Sequence, residues 1–231
     1  MRMRAVIKRR SIRGGLLSVA VAGSLVVGAT GCGGDGKDDD GLPEDYKVVG
    51  GTQLCGGHAV SADASRALKV ITGSSRFEAS AKEYTLARTA ADIVEAFPVP
   101  TVTNDACRVF TPLNTPHFQL RITWKLEDGS PTGASAPIFT RLKMGERAVA
   151  AADKALVFFA CRSDKLSQSS RVAHLDIGAE RWGWPEEPEG DIKALKNAYV
   201  TVAHSYALAV AKELRCEKNG GLPAKPVLIP A

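Results

Sequence analysis

DIKALKNAYVTVAHSYALAVAKELRC, residues 191–216, decides how the rest of this 231-residue chain is read. Ile192, Leu195, Tyr199, Val202, Tyr206, Val210 and Leu214 recur at steps of three and four, the spacing that places side chains on one face of a helix. Asn219-Gly220-Gly221 ends the helical possibility beyond it. A long helix with an apolar stripe needs a surface to cover, and the segments before it have strand character. Phe118 to Leu126 alternates Leu120, Ile122, Trp124 and Leu126 with polar residues, and Arg108–Pro112, Ile138–Met144, Arg147–Ala152, Leu156–Arg162 and Val172–Ile177 are further short runs. Ala152-Asp153-Lys154-Ala155 supplies a hairpin turn between two of them. Further upstream, Ser61 to Thr72 reads as a helix capped by Ser61, with Leu68 and Ile71 inward and Gly73 as its stop, and Leu86 to Phe97 as a second, closed by Pro98. Successive strands with helices at both ends predict an α+β fold: an antiparallel sheet with helices packed on one face and a long C-terminal helix.

The amino-terminal 31 residues have a different character. Arg2, Arg4, Lys8, Arg9, Arg10 and Arg13 precede an apolar run from Leu16 to Ala29, interrupted by Gly23 and Gly28. A membrane span needs roughly 20 predominantly apolar residues, so this pattern is an export signal. Those residues carry six of the 30 basic side chains and none of the 25 acidic ones, which leaves 24 basic against 25 acidic and a net charge of −1 for the remainder. The basic character belongs to the leader, and with no Lys/Arg cluster to track phosphates a nucleic-acid partner is not expected.

Ala29-Thr30-Gly31-Cys32 resembles the lipobox of bacterial lipoproteins, with Ala29 in the place where Leu is usual. The resemblance implies cleavage before Cys32, a diacylglycerol and a palmitate on that residue, and anchorage at the outer face of the cytoplasmic membrane. Lys8-Arg9-Arg10-Ser11-Ile12-Arg13 also resembles a degenerate twin-arginine signal, without the usual Ser or Thr ahead of the arginine pair. Residues 32–45 hold Gly33-Gly34-Asp35-Gly36-Lys37-Asp38-Asp39-Asp40-Gly41, which has nothing to bury and reads as an acidic tether with a reach of about 20 Å. Its aspartates lack the spaced oxygen ligands and distal Glu of a calcium loop.

Residues 46–231 are long enough for one domain with one core. Beside Cys32 there are four cysteines, Cys55, Cys107, Cys161 and Cys216, too widely spaced for a CxxC or zinc motif, and two disulfides are expected in an oxidising compartment. Of the three pairings, local structure favours Cys107 with Cys161, both in strand-like runs, and Cys55 with Cys216, which flank the first and last helices. Signal, lipobox, acidic tether and a disulfide-bearing α+β domain together resemble the large group of uncharacterised surface lipoproteins of actinobacteria. That resemblance implies a location, and by analogy a binding or sensing module.

No catalytic motif is present. Val48-Val49-Gly50-Gly51 is like the activated start of a trypsin-like protease, but that family's Gly-Asp-Ser-Gly-Gly and Ala-Ala-His-Cys are missing. Nor is there a Gly-x-Ser-x-Gly elbow, a phosphate-binding Gly loop or a His-Glu-x-x-His. His58, His117, His174 and His204 are scattered, so neither a metal nor another cofactor is expected, and His204 reads as a satisfied, half-buried helix residue. Two loops stand out. Residues 178–190 carry Trp182 and Trp184 among Pro and Gly, a candidate binding loop for a cell-envelope protein or cell-wall component, or simply a lid on the core. Glu127 to Pro137 reads as a long mobile connection. The expected role is therefore a non-enzymatic, tethered binding module. A carrier enclosing a small apolar ligand such as a lipid is the alternative, and an envelope-polymer hydrolase comes third.

Overall fold

The computed structural model describes residues 46–166, 171–183 and 187–231; the leader, Cys32, the tether and Trp184 lie outside them. β1 (Val48–Gly50), a 3-10 turn (Gly51–Gly56), α1 (Ala62–Thr72), β2 (Arg76–Glu78) and α2 (Leu86–Ala96) come first, and β1 and β2 pair as a small antiparallel ribbon. β3 (Asn104–Phe110), β4 (Gln119–Glu127), β5 (Thr140–Leu142), β6 (Arg147–Ala150), β7 (Lys154–Cys161) and β8 (Ala173–Arg181) follow, and then α3 (Ile192–Glu213). The six later strands form one antiparallel sheet in the order β3-β4-β8-β7-β6-β5. The fold is α+β, as the patterning predicts.

The helix ends obey local chemistry. The Ser61 hydroxyl accepts from the Ala64 amide at 3.1 Å, and Gly73 closes α1 in the left-handed region at φ 74°. Thr85 caps α2 through the Arg88 amide, and Phe97 leaves that helix with extended backbone ahead of Pro98. Asp191 caps α3, its Oδ1 accepting from Lys193 and Ala194 at 2.9 and 3.1 Å.

One face of the sheet is built from alternate residues. Cys107 and Val109 of β3, Leu120, Ile122, Trp124 and Leu126 of β4, Leu175, Ile177 and Ala179 of β8, and Ala155, Val157 and Phe159 of β7 are all buried. Their cross-strand register, Ile122 to Ala179 and Val157 to Ile177, places them on the same side of the pleat. α3 packs on β6, β7 and β8, α1 packs on α3, and α2 packs on α3 and β4. The predicted stripe of α3 is buried from Leu195 to Leu214, but Ile192 remains 45% exposed in the first turn. A second stripe of α3, Ala203, Ala207 and Ala211 with Val200, is also buried, because α1 approaches with Ala64, Ala67, Leu68 and Ile71. Ser205 joins the two helices, accepting from the Ser61 amide and donating to the Ala59 carbonyl, each at 2.9 Å.

Two expectations are corrected. The disulfides are Cys55–Cys107 and Cys161–Cys216, not Cys107–Cys161 and Cys55–Cys216. Cys107 and Cys161 do lie in one sheet, but β4 and β8 stand between their strands, so three interstrand steps of about 4.8 Å hold them roughly 14 Å apart, beyond disulfide reach. The 3-10 turn instead sets Cys55 beside β3, and the exit of α3 returns along β7, where the Glu217 amide bonds the Arg162 carbonyl at 2.9 Å. The connection from Glu127 to Pro137 is also less free than it reads. The Arg147 guanidinium donates to the carbonyls of Pro131 and Gly133 at 2.9 and 3.0 Å, and Ser130 donates to Glu146.

Candidate functional site

The end of β8 is held on both sides. The Arg181 amide donates to the Asp153 carbonyl and the Trp182 amide to the Gln119 carbonyl, each at 2.9 Å, so strand geometry persists to Trp182. Consecutive strand residues point to opposite faces, and here that separates two functional candidates. Arg181 turns to the helix side, its guanidinium 4.9 Å from the centre of the Phe118 ring. Trp182 turns to the other face and lies 3.9 Å from the Arg121 guanidinium, which pairs with Glu180 and, at 3.5 Å, with Asp105. Trp182 is 45% exposed, so it is no lid on the core.

On the helix side, the chain forms an open cleft of about 600 Å³. Ile71 closes it from the last turn of α1 and Phe118 from the approach to β4. Asp153 comes from the β6–β7 turn, which the Ala151 amide closes onto the Lys154 carbonyl at 2.7 Å. Glu187, Pro188 and Glu189 come from the loop after β8, and Leu195 and Tyr199, four residues apart on one face, from the start of α3. The loop that the sequence singles out thus contributes Glu187 and Glu189 to the cleft, while Trp182 is directed away and Trp184 lies outside the described residues.

Tyr199 is the residue that sequence reading missed as a site. Its periodicity marks it as core, and it is only 2% exposed. Yet its hydroxyl forms no hydrogen bond with any described residue, whereas the equally buried Tyr206 hydroxyl lies 2.9 Å from the Thr89 hydroxyl and 3.3 Å from the Ala106 carbonyl. Burial raises the Tyr199 phenol well above its ordinary range, with Arg181 opposing and Asp153 adding, so it stays a neutral hydroxyl. Burial likewise pushes Tyr206 up to about 12, against the Thr89 bond. A phenol that lines a cleft and has no hydrogen bond to a described residue is available to a ligand.

Comparison with family models, curated proteins and solved structures returns no match. The chemistry of the site therefore rests on its own residues. A smaller cleft of about 340 Å³ lies at the opposite end of β8, lined by Phe97, Pro98, Glu127, Arg171 and His174 among others. His174 Nδ1 is 2.9 Å from Glu146, and the Arg171 guanidinium donates to the Pro98 carbonyl at 3.0 Å. His204 is buried, with Nε2 donating to the Pro223 carbonyl at 2.9 Å; burial lowers its pKa, and it is a neutral, satisfied helix residue as expected. No group of three or more His, Cys, Asp or Glu among the described residues is arranged to hold a metal.

Proposed function

We propose that this protein is a membrane-tethered, extracytoplasmic, non-enzymatic binding module whose ligand enters the cleft beside the 178–190 loop. The observation that carries the reading is the cleft itself: about 600 Å³, walled by Phe118 and Leu195, with a phenol that has no partner among the described residues and several charged side chains at one end of the sheet. Its polar groups converge from the β6–β7 turn, the end of β8, the loop after it and α3, the arrangement in which a scaffold presents a recognition surface. The clefts described above carry charged side chains, which favours a polar ligand over an enclosed lipid. The proposed attachment is the lipid on Cys32, which rests on the Ala29-Thr30-Gly31-Cys32 resemblance; no helix among the described residues is long and apolar enough to cross a membrane.

The tether is tested by the mass of the native amino terminus. A chain starting at diacylated Cys32 is expected, with Cys32→Ala shifting the protein from the membrane fraction to the medium; an unacylated start means free secretion.

The binding loop is tested by tryptophan fluorescence during titration with cell-wall fragments and with detergent-extracted envelope proteins. Of the three tryptophans, Trp124 is buried and provides a constant background. A saturable change is expected, and the same titrations followed by calorimetry, which needs no tryptophan, should lose the binding heat in Trp182→Ala with Trp184→Ala while the melting temperature falls by no more than about 4 °C, since the Trp182–Arg121 contact is worth about 0.5–1 kcal/mol. A response that survives the double substitution removes the tryptophans from the interface.

A further inference from the structure

Resting on the reading of this cleft as the ligand site, we propose that it recognises a primary ammonium group carried on an aliphatic stem. Three carboxylates, Asp153, Glu187 and Glu189, line the cleft, and none of them forms an ion pair or side-chain hydrogen bond with a described residue. Arg181 is the one cation among the described lining residues, and its guanidinium is already engaged over the Phe118 ring. The balance is negative, and the apolar walls formed by Ile71, Phe118 and Leu195 strengthen the field felt inside such a cleft.

Carboxylates at a surface are common, and they would mean little here without Tyr199. Its side chain is almost wholly buried and lines the same cleft, and its hydroxyl has no hydrogen-bond partner among the described residues. A neutral hydroxyl offers lone pairs to an N–H donor, so it complements an ammonium that the carboxylates attract. The aromatic rings of Phe118 and Tyr199 and the side chains of Ile71 and Leu195 match a methylene stem, and aromatic faces also favour a nearby cation. The same chemistry is presented by the lysine side chain of a peptide and by a free polyamine.

The two sources are separated by titrating the lipid-free domain, residues 46–231, with Nα-acetyl-lysine N-methylamide and, in a second arm, with spermidine. Amide chemical shifts are read by NMR at low and moderate salt. Saturable shifts at Asp153, Arg181, Leu195 and Tyr199 are expected, and the tighter-binding probe identifies the source. Affinity should fall at least tenfold in Asp153→Asn with Glu187→Gln and Glu189→Gln, and severalfold in Tyr199→Phe. Because the Tyr199 hydroxyl has no partner among the described residues, Tyr199→Phe should melt like the parent, whereas Tyr206→Phe should lose stability while keeping affinity. Equal binding of the neutral Nε-acetylated lysine probe overturns the ammonium assignment but leaves the cleft as a site. Shifts scattered over the surface and abolished by salt overturn it as well. No shift in the cleft with any probe, combined with wall fragments that perturb another face, overturns both this assignment and the binding reading beneath it.

Discussion

Replacing Cys161 and Cys216 by alanine is expected to destabilise the domain by about 4 kcal/mol, the cost of freeing a 55-residue loop in the chain-entropy account of disulfides. The bond joins the end of β7 to the chain just after α3, so it closes the long helix onto the sheet it covers. Cys55–Cys107, with a sequence separation of 52, should be worth nearly as much. In a domain of this size each kcal/mol shifts the melting temperature by about 2–4 °C, so either double substitution should lower it by roughly 10 °C. Urea unfolding of the parent and the two variants checks this, and a loss below 1 kcal/mol for both would remove the disulfides as major stabilisers. Non-reducing peptide mapping gives an independent check. It should recover Cys55 linked to Cys107 and Cys161 linked to Cys216, and a Cys107–Cys161 peptide would contradict the strand order.

Asp176→Asn is expected to stabilise the protein at pH 8 and to leave it unchanged below pH 4. Asp176 lies on the sheet face opposite α3, in register with Lys125 of β4 and Phe158 of β7. The packing there is close: a Cβ on the neighbouring Gly178 would sit 2.4 Å from the Thr123 hydroxyl. Asp176 Oδ1 is buried without a hydrogen bond. Burial raises this carboxyl to about 7, with Glu127 and Glu180 adding and Lys125 opposing. The folded state therefore holds the proton more tightly than the unfolded chain, whose value is near 3.8. Stability is full below pH 4, falls as the pH rises toward 7, and is flat above, because the ionised carboxylate is less costly in the unfolded chain. A shift of about three units corresponds to roughly 4 kcal/mol, the upper figure for what a neutral amide regains at pH 8. Urea unfolding of both proteins at pH 4 and pH 8 measures the difference, and parallel pH dependences would show that Asp176 is not the group responsible.

The two predictions draw on different kinds of information. Four cysteines beyond Cys32 are visible in the chain, and their even number already implies two bridges. Their partners depend on strand order, which has no local signature: β4 and β8 separate Cys107 from Cys161, and nothing near either cysteine reveals it. Asp176 is similar. Its place in an alternating run is legible, but its cost depends on the side chains that neighbouring strands bring beside it.

Local chemistry explains what was readable. The 3.6-residue period of α3, the period of two in β4, and the cap Ser61 all depend on neighbours within four residues. β1 and β2 escaped notice because three residues are too few to show a period, and the two strands meet only through long-range pairing. The candidate site was half visible. The loop after β8 stood out by composition, yet strand parity directs Trp182 to the far face, and the cleft takes Phe118, Asp153 and Tyr199 from segments with no common motif. Sequence alone thus determined the longer helices and strands and the number of available thiols, since each is written in adjacent residues. Tertiary structure decided which thiols meet, which stripe of α3 faces α1, and which buried hydroxyl opens to a cleft, because those outcomes depend on distances between residues far apart in the chain.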